Sequence, residues 1–561
     1  MKTLIGVLLA TLLVALGITS PAMSAPQGPR VLPASHISGP PAGAFAPQIT
    51  TAPDGTATVV WARGNGTNFI IQAATRPPGG SFGARVSLSA FGRNATFPQI
   101  TTAPDETATV VWARYDGVNS FIQAATRPPG GSFGAPVDLS VAGRNAHSPQ
   151  ITTAPDGTTT AVWRRRDGTN LIIQAATRPP GGSFGNPVDL SAPGQDAFGP
   201  QITTAPDRTA TAVWESWESF DSGVTTTIQA TARPPGGSFG NPVDLSDPGQ
   251  GSASNPQITT APDGTATAVW QRFDGSNSII QATTRPPGGS FGATVDLSAP
   301  GGGGSSPQVA TAPDGTATAV WVRYDGANDS IQAATRPPGG SFGLPVDLSA
   351  PAPPAIDLAP QITTAPDGTA TAIWIGANSI IQAATRPPGG SFGAPVDLSD
   401  PGRNASFPQI ATAPDGTATA VWYRSDDSND IVQAATRPPG GSFGPPVDLP
   451  LQEARPRLRF QQITPKSKKV RRGKKVTFWV NVSNTGNAIA KKLKVCVKGP
   501  EKLVKVPKCR EPGKLRRVSK WVKFKVKVKN RAKKGKKAKI TFTATAKGAK
   551  KKSGKATVKI R

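Results

Sequence analysis

Histidine, cysteine, methionine and tyrosine are scarce in this sequence. Its 561 residues include two histidines, two cysteines, two methionines and three tyrosines. We interpret the two histidines, His36 and His147, as solvated side chains in loops. So few histidines and thiols cannot form a general-base constellation or a four-ligand metal centre. We therefore expect no metal, no cofactor and no enzymatic activity.

Lysine is absent between Lys2 and Lys466, where every basic residue is an arginine. From residue 454 onward, 39 lysines and arginines face only two acids, Glu501 and Glu511, which gives a net charge of +37. The preceding part has a net charge of −9, so the positive net charge of the whole chain, +28, comes entirely from one small region. This change in composition predicts a domain boundary near 449–456.

Long hydrophobic runs are also missing, with one exception at the N-terminus. An apolar run follows Lys2 from Leu4 to Ile18 and leads into small residues that end at Ala25. This order predicts a secretory signal peptide over residues 1–25, cleaved near Ala25 or Pro26. The run is too short to cross a bilayer as a helix. We expect a secreted protein, associated with the cell envelope or free outside the cell, that has no transmembrane segment after cleavage.

Glycine and proline are abundant, at 61 and 58 residues, and they recur at fixed offsets. A Pro-Gln pair followed by Ile or Val occurs eight times. Each copy continues as in PQITTAPDGTTTAVWRRRDGTNLIIQAATRPPGGSFGNPVDLS, in which four β-prone runs are separated by turn sequences. A solenoid would use a shorter period, and tandem immunoglobulin-like domains would need longer units. The sequence predicts an eight-bladed β-propeller over residues 31–450. The Pro-Gln pairs contain Gln48, Gln99, Gln150, Gln201, Gln257, Gln308, Gln361 and Gln409.

Each repeat carries a tryptophan at the end of its second run and a phenylalanine in a Ser-Phe-Gly turn. These aromatics could form a ring of sugar-stacking side chains, or they could pack one blade against the next. We favour packing, because each blade must bury both of its faces and aromatics supply the most area. The tryptophans are Trp61, Trp112, Trp163, Trp214, Trp270, Trp321, Trp374 and Trp422.

The repeats resemble a family of secreted bacterial repeat proteins that is common in high-GC Gram-positive lineages. The resemblance rests on a Pro-Asp-Gly…Val-Trp core and a Phe-Gly-x-Pro-Val-Asp-Leu-Ser outer strand, as at Pro155 to Trp163 and Phe184 to Ser191. It implies a propeller and no defined activity. Sialidase-type propellers differ, because their Asp box places Asp five residues before Trp, whereas the interval here is seven.

The C-terminal region, residues 458–561 after a linker at 451–457, alternates apolar and polar residues as half-buried strands do. Six or seven such strands predict an immunoglobulin-like β-sandwich, in which we assign Trp479 and Trp521 to the core. The exported context favours a disulfide between Cys496 and Cys509. Val482 to Ala488 and Val495 to Val497 resemble bacterial modules of the cell-adhesion-related and conserved-repeat type, which implies a spacer or adhesion role.

Two candidate binding surfaces follow from these patterns. The hairpin of the fourth repeat is expanded and carries the one repeat-region tryptophan outside the consensus, so a protein or glycan ligand could bind there. Alternating lysines on one predicted strand form a candidate face for anionic envelope polymers. The first set is Glu215, Trp217, Glu218, Phe220 and Asp221, and the second is Lys523, Lys525, Lys527 and Lys529.

We expect a monomeric binding or scaffold protein that is held at the envelope by its basic module. The alternative is an extracellular glycan hydrolase or lyase acting on the propeller face, with Glu215, Glu218 and Asp221 as the candidate carboxylates. A nucleic-acid-binding role is the third possibility. Against it stands the expectation that no stacking aromatics lie among the lysines.

Overall fold

The computed structural model describes residues 43–64, 67–141, 143–220, 223–299, 302–353, 358–401, 404–426, 429–449, 458–484, 490–515, 519–547 and 549–561. The predicted signal peptide, His36 and the linker lie outside the described residues. The chain divides into two compact units, Met1–Pro450 and Leu451–Arg561. Within the described ranges, no helix is long and apolar enough to cross a membrane.

The first unit consists of eight four-stranded antiparallel sheets, each built from four consecutive strands. We call each sheet a blade and number the blades along the chain. The turn sequences explain the chain reversals. In the first Pro-Asp-Gly turn, the carboxylate of Asp54 accepts the amide of Thr56 at 2.7 Å, and Gly55 adopts a φ of +84° that favours glycine. These repeated sheets fit a β-propeller.

The strands of blades 1 to 4 have the following bounds. Blade 1 contains β1 (Ala44–Thr51), β2 (Ala57–Gly64), β3 (Phe69–Arg76) and β4 (Val86–Ser87); blade 2 contains β5 (Ala95–Thr102), β6 (Ala108–Tyr115), β7 (Ser120–Arg127) and β8 (Val137–Asp138); blade 3 contains β9 (Ala146–Thr153), β10 (Thr159–Arg166), β11 (Leu171–Arg178) and β12 (Val188–Asp189); blade 4 contains β13 (Asp196–Thr204), β14 (Ala210–Phe220), β15 (Gly223–Arg233) and β16 (Val243–Asp244).

Blades 5 to 8 repeat this order, with 3₁₀ turns at Pro248–Gln250 and Ala377–Ser379. Blade 5 contains β17 (Ser252–Thr260), β18 (Ala266–Phe273), β19 (Ser278–Arg285) and β20 (Val295–Asp296); blade 6 contains β21 (Gly303–Thr311), β22 (Ala317–Tyr324), β23 (Asp329–Arg336) and β24 (Val346–Asp347); blade 7 contains β25 (Gln361–Thr364), β26 (Ala370–Ile375), β27 (Ile381–Arg386) and β28 (Val396–Asp397); blade 8 contains β29 (Ala405–Thr412), β30 (Ala418–Asp426), β31 (Asn429–Arg437) and β32 (Val447–Asp448).

The repeat tryptophans pack between blades, which confirms the packing interpretation. Trp112 of blade 2 lies in one buried cluster with Val60 and Ile71 of blade 1. The same relation joins the ends of the unit, because Trp61 of blade 1 packs with Val421 of blade 8. The eight blades therefore form a closed ring. Blade 8 takes its outermost strand, β32, from its own sequence, so the described residues show no exchange of strands at the closure.

An arginine at the end of each third strand, buried in six blades and half-buried in blades 2 and 4, forms a second contact between blades. Its guanidinium donates hydrogen bonds to threonine hydroxyls. In every blade, at least one of these threonines belongs to the preceding blade of the ring. In seven blades it also lies 5.5–5.9 Å from the centroid of the blade's own Ser-Phe-Gly ring. We call this contact the arginine clasp. The pairs are Arg76 with Thr436 and Thr419, Arg127 with Thr75, Arg178 with Thr126, Arg233 with Thr160, Arg285 with Thr211, Arg336 with Thr267, Arg386 with Thr335, and Arg437 with Thr371.

The aspartates of the Ala-Pro-Asp turns, which are followed by Gly in six blades, Glu106 in blade 2 and Arg208 in blade 4, add a charge to each clasp. Burial lowers the pKa of Arg76, and the nearby Asp415 of blade 8 acts in the opposite direction. The same relation links Arg285 of blade 5 to Asp207 of blade 4. The recurring aspartate therefore forms its own turn and also partly compensates a buried cation of the next blade.

In its described residues the second unit contains nine strands in two sheets, whereas the sequence predicted six or seven strands. The four-stranded sheet has the order β33-β35-β39-β37, and the five-stranded sheet has the order β34-β41-β40-β36-β38. The strands are β33 (Leu458–Thr464), β34 (Ser467–Val470), β35 (Lys475–Asn484), β36 (Ala490–Lys498), β37 (Val504–Lys505), β38 (Arg510–Leu515), β39 (Ser519–Val528), β40 (Lys537–Thr545) and β41 (Lys552–Ile560).

One apolar core joins the two sheets of the second unit. Phe478 and Phe524 of the four-stranded sheet lie 5.5 and 5.7 Å from Phe542 of the five-stranded sheet, measured between ring centroids. Cys496 and Cys509 form a disulfide, as predicted. A crosslink over a loop of this length stabilises a fold by about 3 kcal/mol, mainly by restricting the unfolded chain.

The ring closure can be tested by weakening one clasp at a time. We expect Arg76→Lys to lower the free energy of unfolding by about 2 kcal/mol, because lysine keeps the charge but cannot donate to two hydroxyls in a fork. Arg285→Lys, in the middle of the ring, serves as the matched control and should cost a similar amount. Chemical denaturation followed by tryptophan fluorescence measures both values. A loss confined to Arg285→Lys would contradict the closure between blades 8 and 1.

Candidate functional site

The four-stranded sheet of the second unit has one buried and one exposed face. Along β35 and β39, Phe478, Val480, Val522 and Phe524 point into the core. The residues between them point to solvent, because successive side chains of a strand alternate. The register places Trp479 opposite Lys523, Asn481 opposite Trp521, and Lys475 opposite Lys527. Residues that pair in this way lie on the same side of the sheet.

The two tryptophans of this sheet are therefore exposed, and the assignment of both to the core was wrong. Trp479 is 43% and Trp521 46% exposed. The physical reason is the alternation of side chains along a strand. The tryptophans occupy the alternate positions that also hold the exposed lysines, whereas the phenylalanines occupy the positions that face the core. The Nζ atom of Lys523 lies 5.0 Å from the ring centroid of Trp479. The expectation that the lysines lack neighbouring aromatics is wrong for the same reason.

Three of the four predicted lysines, Lys523, Lys525 and Lys527, lie in one exposed row on β39. Lys529 lies beyond the end of the strand, where its amide donates to the carbonyl of Leu503 at 3.0 Å. Lys505 of β37 stands opposite Lys527 and extends the row. We call the surface formed by Lys475, Trp479, Lys505, Trp521, Lys523, Lys525 and Lys527 the lysine–tryptophan face.

The positive charge of the lysine–tryptophan face lacks acidic compensation within its own unit. The unit contains three acids, Glu453, Glu501 and Glu511, against 39 lysines and arginines. Glu511 pairs with Lys494 of the other sheet, with 2.9 Å between Oε1 and Nζ. A flat surface of cations and indole rings can bind a polymer that carries both anionic groups and stackable rings.

In the first unit, the hairpin between the second and third strands of a blade emerges together with the link to the next blade. The amide of Ser120 in the blade 2 hairpin donates to the side chain of Asn145 in the following link at 3.0 Å. Leu171 of blade 3 donates to Asp196 in the same way at 2.7 Å. We call this side of the ring the loop face, and the side with the Pro-Asp-Gly and Arg-Pro-Pro-Gly-Gly turns the turn face.

The predicted ligand residues of the fourth repeat lie on the loop face, but those described are already engaged. Trp217 packs on Phe198, with 4.6 Å between ring centroids, and is not fully exposed. Glu215 is buried and accepts the amide of Asn255 from blade 5 at 2.7 Å. Glu218 accepts the side-chain amide of Gln195 at 2.7 Å. The Phe220 side chain and Asp221 lie outside the described residues.

A cluster of ionisable groups spans blades 3 and 4 beside these residues. His147 lies on β9 opposite Arg164, so its assignment to a solvated loop was wrong. Burial, together with the charge of Arg164, lowers the pKa of His147 to about 4. Burial raises the pKa of Glu215, although the Asn255 amide, the Trp217 indole and the Arg164 charge act in the opposite direction. We call His147, Arg164 and Glu215 the blade 3–4 cluster.

The sequence held a signal for this cluster that a search for motifs missed. Arg164 and Glu215 each follow a repeat tryptophan, at a position that is alanine in blades 1 and 2. The same position holds Gln, Val, Ile and Tyr in blades 5 to 8, so it varies around the ring and can differ chemically from blade to blade. The guanidinium of Arg164 also lies 5.1 Å from the ring centroid of Phe198, which connects blades 3 and 4. Groups of three or more metal-ligating side chains do not occur among the described residues.

No family model matches the sequence, and no curated protein matches it. Several solved structures are similar at low identity. The β-propeller domain of the Trilobed protease from Pyrococcus furiosus is 9% identical with a TM-score of 0.37, over 64% of this chain and 97% of that one. A PL25 ulvan lyase is 8% identical with a TM-score of 0.40, over 62% and 92% of the two chains. The Hadza microbial sialidase Hz136 is 12% identical with a TM-score of 0.35, over 57% and 73%.

These neighbours contradict the expectation that the chain is not an enzyme, because they include polysaccharide lyases and a sialidase. At such identities no activity carries over from any of them. The expectation rested on the consensus repeat, in which the aspartate and tryptophan have structural roles. It did not consider positions that vary from blade to blade, and the residues of the blade 3–4 cluster occupy such positions.

The protonation of His147 predicts a pH dependence of stability. Its pKa is about 4 in the folded chain and about 6.5 when unfolded. Between these values the unfolded chain binds more protons, so stability falls as the pH drops through this window. We expect His147→Thr, which introduces the residue found at this position in blade 2, to flatten that fall. Melting temperatures between pH 7 and pH 4 measure the effect, and an unchanged slope would contradict it.

Proposed function

We propose that this chain is an exported, glycan-active protein that binds an acidic polysaccharide through its lysine–tryptophan face. In this proposal the first unit is an eight-bladed β-propeller and the second an immunoglobulin-like sandwich that attaches the protein to the polymer. The predicted signal peptide and the disulfide fit an extracellular location. The observation that carries the proposal is the exposure of Trp479 and Trp521 beside a row of uncompensated lysines.

The chemistry of this face matches an acidic polysaccharide in two respects. Lysines at alternate positions of a strand stand about 7 Å apart and can contact successive anionic groups of an extended polymer. Exposed indoles bind the apolar faces of sugar rings, since aromatic side chains combine a large apolar surface with a polar edge. The core below the face is rigid, because the alternate residues of the same strands are buried. The lysines are therefore held in a fixed row.

We expect the full chain to bind polygalacturonate, and Trp479→Ala with Trp521→Ala to weaken that binding at least tenfold by removing the stacking contacts. Lys523→Gln, Lys525→Gln and Lys527→Gln together should weaken it further and reduce its dependence on salt. Fluorescence anisotropy at 50 and 200 mM salt measures both effects.

A triple variant on the other sheet, Lys537→Gln, Lys539→Gln and Lys559→Gln, is the matched control for charge. Equal losses in the two triple variants would mean that net charge alone attracts the polymer, and would contradict a defined face. Stronger binding to single-stranded DNA than to polygalacturonate would contradict the glycan.

A lyase or hydrolase activity of the first unit is the second candidate function, and the blade 3–4 cluster favours it. The environment of the cluster raises the pKa of Glu215 and lowers that of His147. Glu215 is therefore suited to donate a proton, and His147 to accept one. Arg164 lies beside both groups and can neutralise a carboxylate of the polymer.

Incubation of the full chain with acidic polysaccharides tests this second function. We expect new reducing ends, with an ultraviolet-absorbing unsaturated product if the chain is a lyase and none if it is a hydrolase. Glu215→Gln should abolish the activity, because glutamine keeps the contact to Asn255 but cannot donate a proton. Glu106→Gln on the turn face is the control. Full activity of Glu215→Gln would exclude this cluster.

A further inference from the structure

Charge is unevenly distributed over the loop face. In the hairpins of blades 1 to 3 and the two links between them, seven arginines face two aspartates. The corresponding segments of blades 4 to 8 contain far more acids than arginines. We call the first region the arginine sector. Its arginines are Arg63, Arg93, Arg114, Arg144, Arg164, Arg165 and Arg166, and its aspartates are Asp116 and Asp167.

The two arginines of the links are held in equivalent positions. A Cβ atom at Gly117 would come within 2.9 Å of Nη1 of Arg93, so this guanidinium lies directly over the blade 2 hairpin. Arg144 lies over Gly168 of the blade 3 hairpin in the same way, at 3.6 Å. Each arginine is followed by an asparagine that bonds to the preceding hairpin, as Asn94 does to the amide of Phe69 at 2.9 Å. Both exposed cations therefore lie against the hairpin of the following blade.

The cations of the arginine sector are close enough to repel one another. Arg114 is buried, its Nη1 donates to the carbonyls of Arg93 and Ala90 at 2.7 and 3.0 Å, and the charge of Arg93 helps to lower its pKa. Arg164 likewise disfavours the charged form of His147. The nearby Asp116 and Asp167 accept backbone amides of their own hairpins, and their charges also act on Arg93 and on Arg144 and Arg165. Arg165 pairs with Asp189 at 3.7 Å as well, so the seven cations are only partly compensated. An anion bound here would relieve the repulsion.

Exposed aromatic side chains lie among these arginines. Phe69, Phe91 and Tyr115 are 37%, 45% and 40% exposed and belong to the hairpins and the link of blades 1 and 2. Tyr115 is fixed by a hydrogen bond from its hydroxyl to the carbonyl of Gly117 at 2.8 Å. Blades 1 and 2 of the sector thus place aromatic rings among the guanidinium groups.

From this arrangement we infer a second binding site for an acidic polysaccharide, formed by the arginine sector of blades 1 to 3. Guanidinium groups bind carboxylates through two parallel hydrogen bonds, and the aromatic rings bind the apolar faces of the sugars. The inference rests on the proposed function for the class of polymer, but the site belongs to the first unit and is separate from the lysine–tryptophan face.

A polysaccharide suits this sector better than a nucleic acid does. Seven arginines and two aspartates spread over three blades give a moderate positive charge. A polymer with one carboxylate per sugar and an apolar face on each ring matches alternating cations and aromatics. Nucleic acids carry a denser row of phosphates, which basic surfaces without acids match better.

The experiment uses the full chain with Lys523→Gln, Lys525→Gln and Lys527→Gln as background, so that the lysine–tryptophan face does not mask the sector. Fluorescein-labelled polygalacturonate is the probe, and single-stranded DNA is the alternative ligand. In this background, Arg93→Gln with Arg144→Gln should weaken polygalacturonate binding about tenfold. Arg272→Gln with Arg323→Gln, which removes two arginines from blades 5 and 6 of the same face, is the matched control and should change it less than twofold.

Each outcome decides the inference. A loss specific to the Arg93 and Arg144 variant supports the site. Equal effects of the two arginine pairs, or no polygalacturonate binding left in the lysine background, would overturn it and leave the proposed function intact. If the triple lysine variant bound polygalacturonate with wild-type affinity, that result would count against the proposed function. The two pairs of arginine variants would still test the arginine sector in that case. Tighter binding of DNA that depends on Arg93 and Arg144 would overturn the choice of a polysaccharide.

Discussion

The ring of eight blades depends on one repeated contact, the buried arginine that reaches from each blade to the preceding one. A buried guanidinium is costly unless its donors and its charge are compensated. Here Arg76 donates to Thr436 and Thr419, lies against Phe82, and is partly compensated by Asp415. Since these partners belong to two blades, the cation is compensated only when the blades are adjacent. The clasp therefore favours ring closure in addition to the apolar packing between the blades.

The clasp also explains why the two faces of the ring differ. Its arginine, threonine and aspartate come from the ends of strands and turns on the turn face, so a change there would expose a buried charge. On the loop face the described hairpins of blades 1 to 3 are joined to the following links by single side chains such as Asn145. Sequence can vary there at little cost to the fold. Both the blade 3–4 cluster and the arginine sector lie on this face.

The second unit meets a different constraint, because it must fold despite a very high positive charge. Its strands place lysine on the solvent side at alternate positions, while valine and phenylalanine fill the core. A disulfide outside that core crosslinks Cys496 to Cys509. Exposed lysines a strand apart repel one another, and this repulsion opposes folding. The core, the crosslink and the contact of Lys523 with Trp479 oppose that effect. A bound polyanion would reduce the repulsion further.

The sequence alone determined the strands, the turns and the number of repeats, because these depend on local chemistry such as the Pro-Asp-Gly turn. The alternation along β39 likewise held the information that Trp521 shares a side with Lys523, although we first assigned this tryptophan to the core. Only the tertiary structure decided which residues of different blades meet. His147, Arg164 and Glu215 come from separate strands. Their proximity follows from the packing and register of neighbouring blades, which no local pattern encodes, and burial between those blades then sets their pKa values.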